Sequence, residues 1–247
     1  HHVSSHLARL PQLFGDHVVL EIGPGKGFLT EEILKTSASA IAVEKDDRMI
    51  PLLQEKFIVE IKEGRLTLIH GDIVDLLETR SLVLPPHYKL IANIPYYITG
   101  YLLRAFLEMD IKPERMILML QKEVADRIIA RDKKESILSI AVKVYGSPKI
   151  VKKVPARYFT PSPKVDSAVL AIENISGNNF ADKNDERIFF ELVRAGFAHR
   201  RKQLYGNLKD LYGEKTLQAL EKIEVPLNVR AEDIALEKWL KLKNELT

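Results

Sequence analysis

The chain contains no cysteine among its 247 residues, which excludes disulfides, thiolate metal ligands and a cysteine nucleophile. No apolar run reaches the length of a membrane span, and no charged-then-apolar leader opens the sequence. A cytoplasmic, monomeric protein with no membrane partner is the expectation. Internal repeats and low-complexity tracts are absent, and neither charge dominates. The formal net charge of +3 is mildly basic, which permits a polyanionic partner without demanding one. What is present is 46% hydrophobic residues, enough to fill the core of one large domain or of a main domain with a small appendage.

The first two thirds of the chain alternate short apolar runs with amphipathic stretches, the pattern of a parallel α/β sheet. HVVLEIG (17–23), AIAVEKD (40–46), LTLIHGD (66–72), YKLIANIP (88–95) and RMILMLQ (115–121) are continuously apolar, as strands covered on both faces are. Segments 28–36, 48–57 and 99–108 are the predicted crossover helices, and a long helical region is predicted from Lys122 to about Tyr145. KIVKKVP (149–155) and KVDSAVLAIE (164–173), separated by the proline-punctuated ARYFTPSP, predict a β-hairpin that closes the sheet. After residue 174 only helical spacing follows. A main domain over 1–174 and a small all-helical domain over 175–247 are therefore predicted.

LEIGPGKGFLTEEIL places Gly23, Gly25 and Gly27 at a strand-to-helix turn, where glycine permits tight backbone angles and close approach of a ligand. The same glycines would serve a purely structural turn. Their spacing is G-x-G-x-G, not the G-x-G-x-x-G of dinucleotide sites, and the lysine and serine or threonine of a P-loop are missing. Glu44 ends the next strand, where a carboxylate can accept both hydroxyls of a ribose. Asp72 ends the third, where a carboxylate can accept from an adenine amine. Each acid taken singly reads as a solvated strand end; together at one sheet edge they ask for a nucleoside-bearing cofactor. His70 has no partner ligands in sequence and reads as structural, so no metal is predicted.

NIPYYI follows the fourth strand, and an ordinary strand exit would use asparagine and proline in the same way. The alternative is chemical. An exocyclic adenine amine is a poor nucleophile because its lone pair is delocalised into the ring. The side-chain oxygen of Asn93 and the backbone carbonyl of Pro95 can accept its hydrogens and favour a pyramidal nitrogen, while Tyr96 supplies a stacking face. No strong base is needed; catalysis rests on position and electrostatics. On this reading Asn93, Pro95 and Tyr96 are the catalytic set, and Tyr97 is packing or rim.

These residues carry a family resemblance. LEIGPGKGFLT, VEKD, HGDIVDL, NIPYYIT, MLQKEVADRI, FTPSPKVDSAV and FAHRRKQLYGNL run in order from about residue 20 to 210, and the chain resembles the ribosomal RNA adenine N6,N6-dimethyltransferase family. The resemblance implies a Rossmann-like methyltransferase sheet with a helical C-terminal RNA-binding domain. It implies S-adenosyl-L-methionine as donor, contacted by Gly23, Gly25, Glu44, Asp72 and Asn93. The partner implied is small-subunit ribosomal RNA or the immature small ribosomal subunit, with two adjacent adenosines dimethylated. Family members usually begin with a basic segment containing GQ(H/N)FL, whereas this sequence begins HHVSSHLARL; the usual NLPY is NIPY here.

Two further elements face RNA on this reading. Phe159 would clamp the target base opposite Tyr96, unless it is a core aromatic at the hairpin bend. Arg200, Arg201 and Lys202 form a run, with Arg194 seven residues before Arg201 and so on the same helical face; phosphate contact is implied by the family, a solvated surface by composition. Three alternatives stand beside the leading one: a large-subunit adenine methyltransferase of the resistance type, an RNA-binding assembly factor with little catalysis, and a nicotinamide dehydrogenase.

Overall fold

The computed structural model describes residues 17–37, 39–93, 98–159 and 163–247. The apolar runs become β1 (Val18–Ile22), β2 (Ser39–Glu44), β3 (Leu66–His70), β4 (Tyr88–Asn93), β5 (Arg115–Gln121), β6 (Ser147–Val154) and β7 (Ser167–Glu173). They pair in the order β3-β2-β1-β4-β5-β7-β6, parallel from β3 to β5 and antiparallel at β5–β7 and β7–β6. The predicted hairpin is present, with its second strand inside the sheet and its first at the edge. β5 is buried without interruption from Met116 to Leu120, the condition that a continuously apolar strand satisfies when both faces are covered. One core cluster joins Val19, Ile33, Ala42, Leu53, Phe57, Ile91 and Met119.

The crossover helices Phe28–Thr36 and Thr99–Glu108 lie at the predicted spans. The predicted helix over 48–57 is present as Met49–Lys56; a second short helix, Ile58–Lys62, follows it after Phe57, whose ring is buried in the core cluster. A further crossover, Ile73–Glu78, escaped the sequence pattern because it is short; Asp72 starts it, its carboxylate accepting from Val74 N at 2.9 Å.

Residues 126–146 and 176–247 cluster as one compact unit, and the sheet, with the described residues up to 125 and 147–175, as the other. The segment 126–146 thus joins the C-terminal helices, where the sequence reading had left it with the sheet. It is also not one helix. Lys122–Ile128 and Ile137–Lys143 are separated by RDKKES, which offers no apolar face, with positive φ at Ala130 and Lys133 and a reciprocal Ser136–Ser139 cap restarting the chain. In the helical unit Trp239 is fully buried and stacks on Phe197 at 5.6 Å, and Lys243, 6% exposed, pairs with Asp185 at 2.6 Å. No described helix is long and apolar enough to cross a membrane.

Candidate active site

Strand register decides what meets at the carboxyl edge of the sheet. Ile22 pairs with Val43 on one side and with Ala92 on the other, so the next residue, Gly23, is flanked by the ends of β2 and β4, at Glu44 and Asn93. β1 and β4 are also where the strand order reverses, the crevice in which open α/β sheets bind ligands. The glycine turn is tied to β2 by hydrogen bonds. Gly23 N donates to Val43 O at 2.9 Å, and Gly25 N donates to Glu44 Oε2 at 2.8 Å. Glu44 Oε1 accepts from Asp46 N at 2.8 Å, and each oxygen keeps a lone pair for a ligand hydroxyl.

The three glycines are not equivalent. All have positive φ, at 70°, 56° and 71° for Gly23, Gly25 and Gly27. A Cβ built on Gly23 or Gly25 meets nothing within 4 Å, whereas one on Gly27 would lie 2.5 Å from Phe57 Cε2 and 2.9 Å from Leu53 Cδ2. Gly27 therefore serves packing, whereas the space a side chain would fill at Gly23 and Gly25 is open. Gly25→Ala is expected to weaken donor binding at least tenfold while costing only the left-handed penalty of about 1–2 kcal/mol in stability. Gly27→Ala adds an overpacking cost of about 1–3 kcal/mol. Thermal melts with and without donor separate the two; equal loss of stability would remove the distinction.

Asp72 lies one residue past the glycine that follows β3. Lys45 Nζ donates to its Oδ2 at 2.6 Å and Val74 N to its Oδ1, and these bonds, Lys45 first, hold its carboxyl below the usual range. At neutral pH it is ionised and acts only as an acceptor. His70 is held by Asp47 at 2.7 Å. Among the described residues no three His, Asp or Glu side chains are grouped to hold a metal.

Glu21 was missed by the sequence reading. It sits in β1, 1% exposed, and accepts from Thr30 Oγ1 at 2.6 Å. Burial pushes its carboxyl up to about 7, opposed by the Thr30 bond and reinforced by the nearby Glu44 charge. The available signal was an acid inside an apolar run that both-face burial would enclose. Lys56 was also missed: its ammonium donates to Gly27 O at 3.1 Å and pairs with Glu31 at 3.1 Å, bracing the turn from behind.

Asn93 ends β4 and is exposed at the edge; Pro95 and Tyr96 lie outside the described residues. Phe159 follows a short 3-10 turn, Ala156–Tyr158, and is half-buried against the cluster containing Val154, Val169 and Met119. Its ring thus has both a core contact and an accessible part. Arg194, Arg200, Arg201 and Lys202 are exposed, but they do not share a helical face. The helix Lys183–Gly196 ends before the run, and the next begins at Leu204. Asn207 Nδ2 donates to the Gly196 and His199 carbonyl oxygens at 2.6 and 3.2 Å, and Trp239 packs where a Cβ on Gly196 would be, so the chain turns there. Arg200 to Lys202 are turn residues, and Lys202 pairs with Asp210 at 2.9 Å.

The model of one protein family, ribosomal RNA adenine dimethylase, matches residues 8–247. The chain belongs to that family. The adenine dimethylase relatives include the ribosomal RNA small subunit methyltransferases A of Dehalococcoides mccartyi strain CBDB1, 42% identical over 91% of this chain and 77% of the relative, and of Enterococcus faecalis, 38% identical over 92% and 80%. Among solved structures, a dimethyladenosine transferase from Plasmodium falciparum is 26% identical with a TM-score of 0.80, covering 98% of this chain and 94% of its own. The 23S rRNA methyltransferase ErmE is 25% identical with a TM-score of 0.76, covering 99% and 97%. A dimethylase of this family takes its methyl groups from S-adenosylmethionine.

Proposed function

We propose that the protein transfers methyl groups to the N6 amines of two adjacent adenosines in small-subunit ribosomal RNA, acting in the cytoplasm as a monomer on the immature subunit. The observation that supports this reading is the register: Asn93 flanks the glycine turn, where the space at Gly23 and Gly25 is open and would take the donor. Bound S-adenosylmethionine supplies an electrophilic methyl group on a sulfonium. The chain's own residues do the rest. Glu44 holds the ribose, Asp72 the adenine amine, and Gly23 and Gly25 let backbone approach the donor. Asn93 accepts a hydrogen of the target amine and aims its lone pair, with Pro95 supplying a second acceptor. Tyr96 and Phe159 hold the base between ring faces. No strong general base is needed, because the methylated N6 ammonium is acidic and loses its proton readily to solvent.

Incubating the protein with labelled donor and, in parallel, immature small and large subunits, then digesting each RNA for mass spectrometry, tests the assignment. Dimethyladenosine in small-subunit RNA is the expected product. Label confined to large-subunit RNA would replace the reading by the resistance-type activity that ErmE represents, and no label would reduce the protein to a binding factor.

A further inference from the structure

The hairpin strand at the sheet edge carries charge that the site described above does not use. Residues 147–166 contain five lysines or arginines against one acid, Asp166, a larger excess than the +3 of the whole chain. Lys149, Lys152, Lys153 and Arg157 are all exposed. Their positions relative to the site follow from the pairing. Asn93 pairs with Met119, Met119 with Val169, and Val169 with Lys152, so Lys152 lies in one row with Asn93, three strands away. At about 4.8 Å per strand the separation is about 14 Å, and paired residues point to the same face. Lys153 lies one row nearer the carboxyl edge and on the opposite face, so the two lysines flank the open edge of β6; Arg157 stands in the turn beyond the strand, two residues before Phe159.

A blander account covers part of this. Edge strands are protected against pairing by lysine, proline and bulges, and β6 has Pro148, Lys149 and a bulge between Ile150 and Lys152. That account explains Lys149, which is committed to Glu173 at 2.5 Å at the end away from the site. It does not explain Arg157, which has left the strand, or why the cations continue toward Phe159.

We propose that Lys152, Lys153 and Arg157 form a phosphate-binding stripe for single-stranded RNA, gripping the backbone a few nucleotides from the adenosine held at Asn93. The inference rests on the functional reading above, since it needs RNA at that rim. Phosphate contacts of this kind position the strand and carry no base identity. An extended strand leaving the base pocket over the carboxyl-edge rim beside β5 and β7, whose faces are buried, reaches the stripe, so the sheet edge sets the register of the target without reading sequence.

The test measures the affinity of a fluorescein-labelled single-stranded oligoribonucleotide with two adjacent adenosines over a salt series. Lys152→Gln, Lys153→Gln and Arg157→Gln together are expected to flatten the plot of log affinity against log salt by about 2, at ~0.7 per phosphate contact. The charge-preserving triple Lys152→Arg, Lys153→Arg, Arg157→Lys should keep the slope, as should Lys149→Gln at the far end of the same strand. An unchanged slope in the neutral triple overturns the stripe, as does an equal loss in Lys149→Gln, which would mean general charge. Methyl transfer by the wild type to immature small subunits is measured in parallel; its absence sinks the functional reading itself, whereas transfer with an unchanged slope sinks only the stripe.

Discussion

Asn93→Ala is expected to lower methyl transfer to immature small subunits by roughly 10²-fold or more, the scale seen when one preorganised polar group is removed from a transition state. The side chain's work is done as the amine becomes tetrahedral: its oxygen accepts an N–H that must turn out of the ring plane, an interaction weak in the ground state and strong at reaction. The loss should therefore fall on kcat. Donor affinity should change by no more than about tenfold, the worth of a single hydrogen bond of about 1.4 kcal/mol. Because Asn93 is exposed at the end of its strand, stability should be unaffected. Asn93→Asp, which keeps an acceptor oxygen at the same reach, should recover part of the rate. A kcat equal to wild type in Asn93→Ala would end the catalytic assignment.

Glu21→Gln should make the protein more stable at pH 8 and no more stable at pH 5. Burial pushes the folded-state carboxyl up to about 7 from its ordinary 4.5, so between those values the folded chain binds the extra proton. Stability then falls as pH rises through this window, since its slope follows the difference in protons bound by the unfolded and folded chains. At pH 8 the ionised, fully buried carboxylate costs about 3 kcal/mol relative to the protonated form. Glutamine keeps an oxygen for the Thr30 hydroxyl and carries no charge. Melting curves of donor-free protein from pH 5 to 8 read the effect, with a gap of several degrees opening only at the alkaline end. A gap of constant size would mean that packing, not ionisation, separates the two proteins.

Much of the sheet was legible because burial on both faces writes a strand as an unbroken apolar run, and RMILMLQ could hardly be anything else in this context. The strand-end positions of Glu44 and Asn93 followed from the same runs, whereas Asp72 lies two residues past the end of β3 as the cap of the next helix. What stayed hidden was set by pairing and by packing over long separations. Nothing local in the sequence says that Asn93 and Lys152 share a row, or that Gly27 answers to Phe57 while Gly23 and Gly25 answer to open space. The helix break before Arg200 was equally invisible, because Asn207 and Trp239, which cause it, lie well downstream. Segment 126–146 read as continuous helix since lysine and arginine favour helices; only the cap at Ser136 and the positive φ values interrupt it.

The two amide bonds to Glu44 bear on the thermodynamics of binding. A carboxylate that already receives Gly25 N and Asp46 N has lost its rotamer freedom during folding, so the cost of about 0.5–1.5 kcal/mol for immobilising such a side chain does not recur when a ribose arrives. The site is preorganised by its own backbone. It also follows that Glu44 cannot be tested as a simple contact: with glutamine in its place only one oxygen remains for the two amides, and the glycine turn would loosen along with the grip on the ligand.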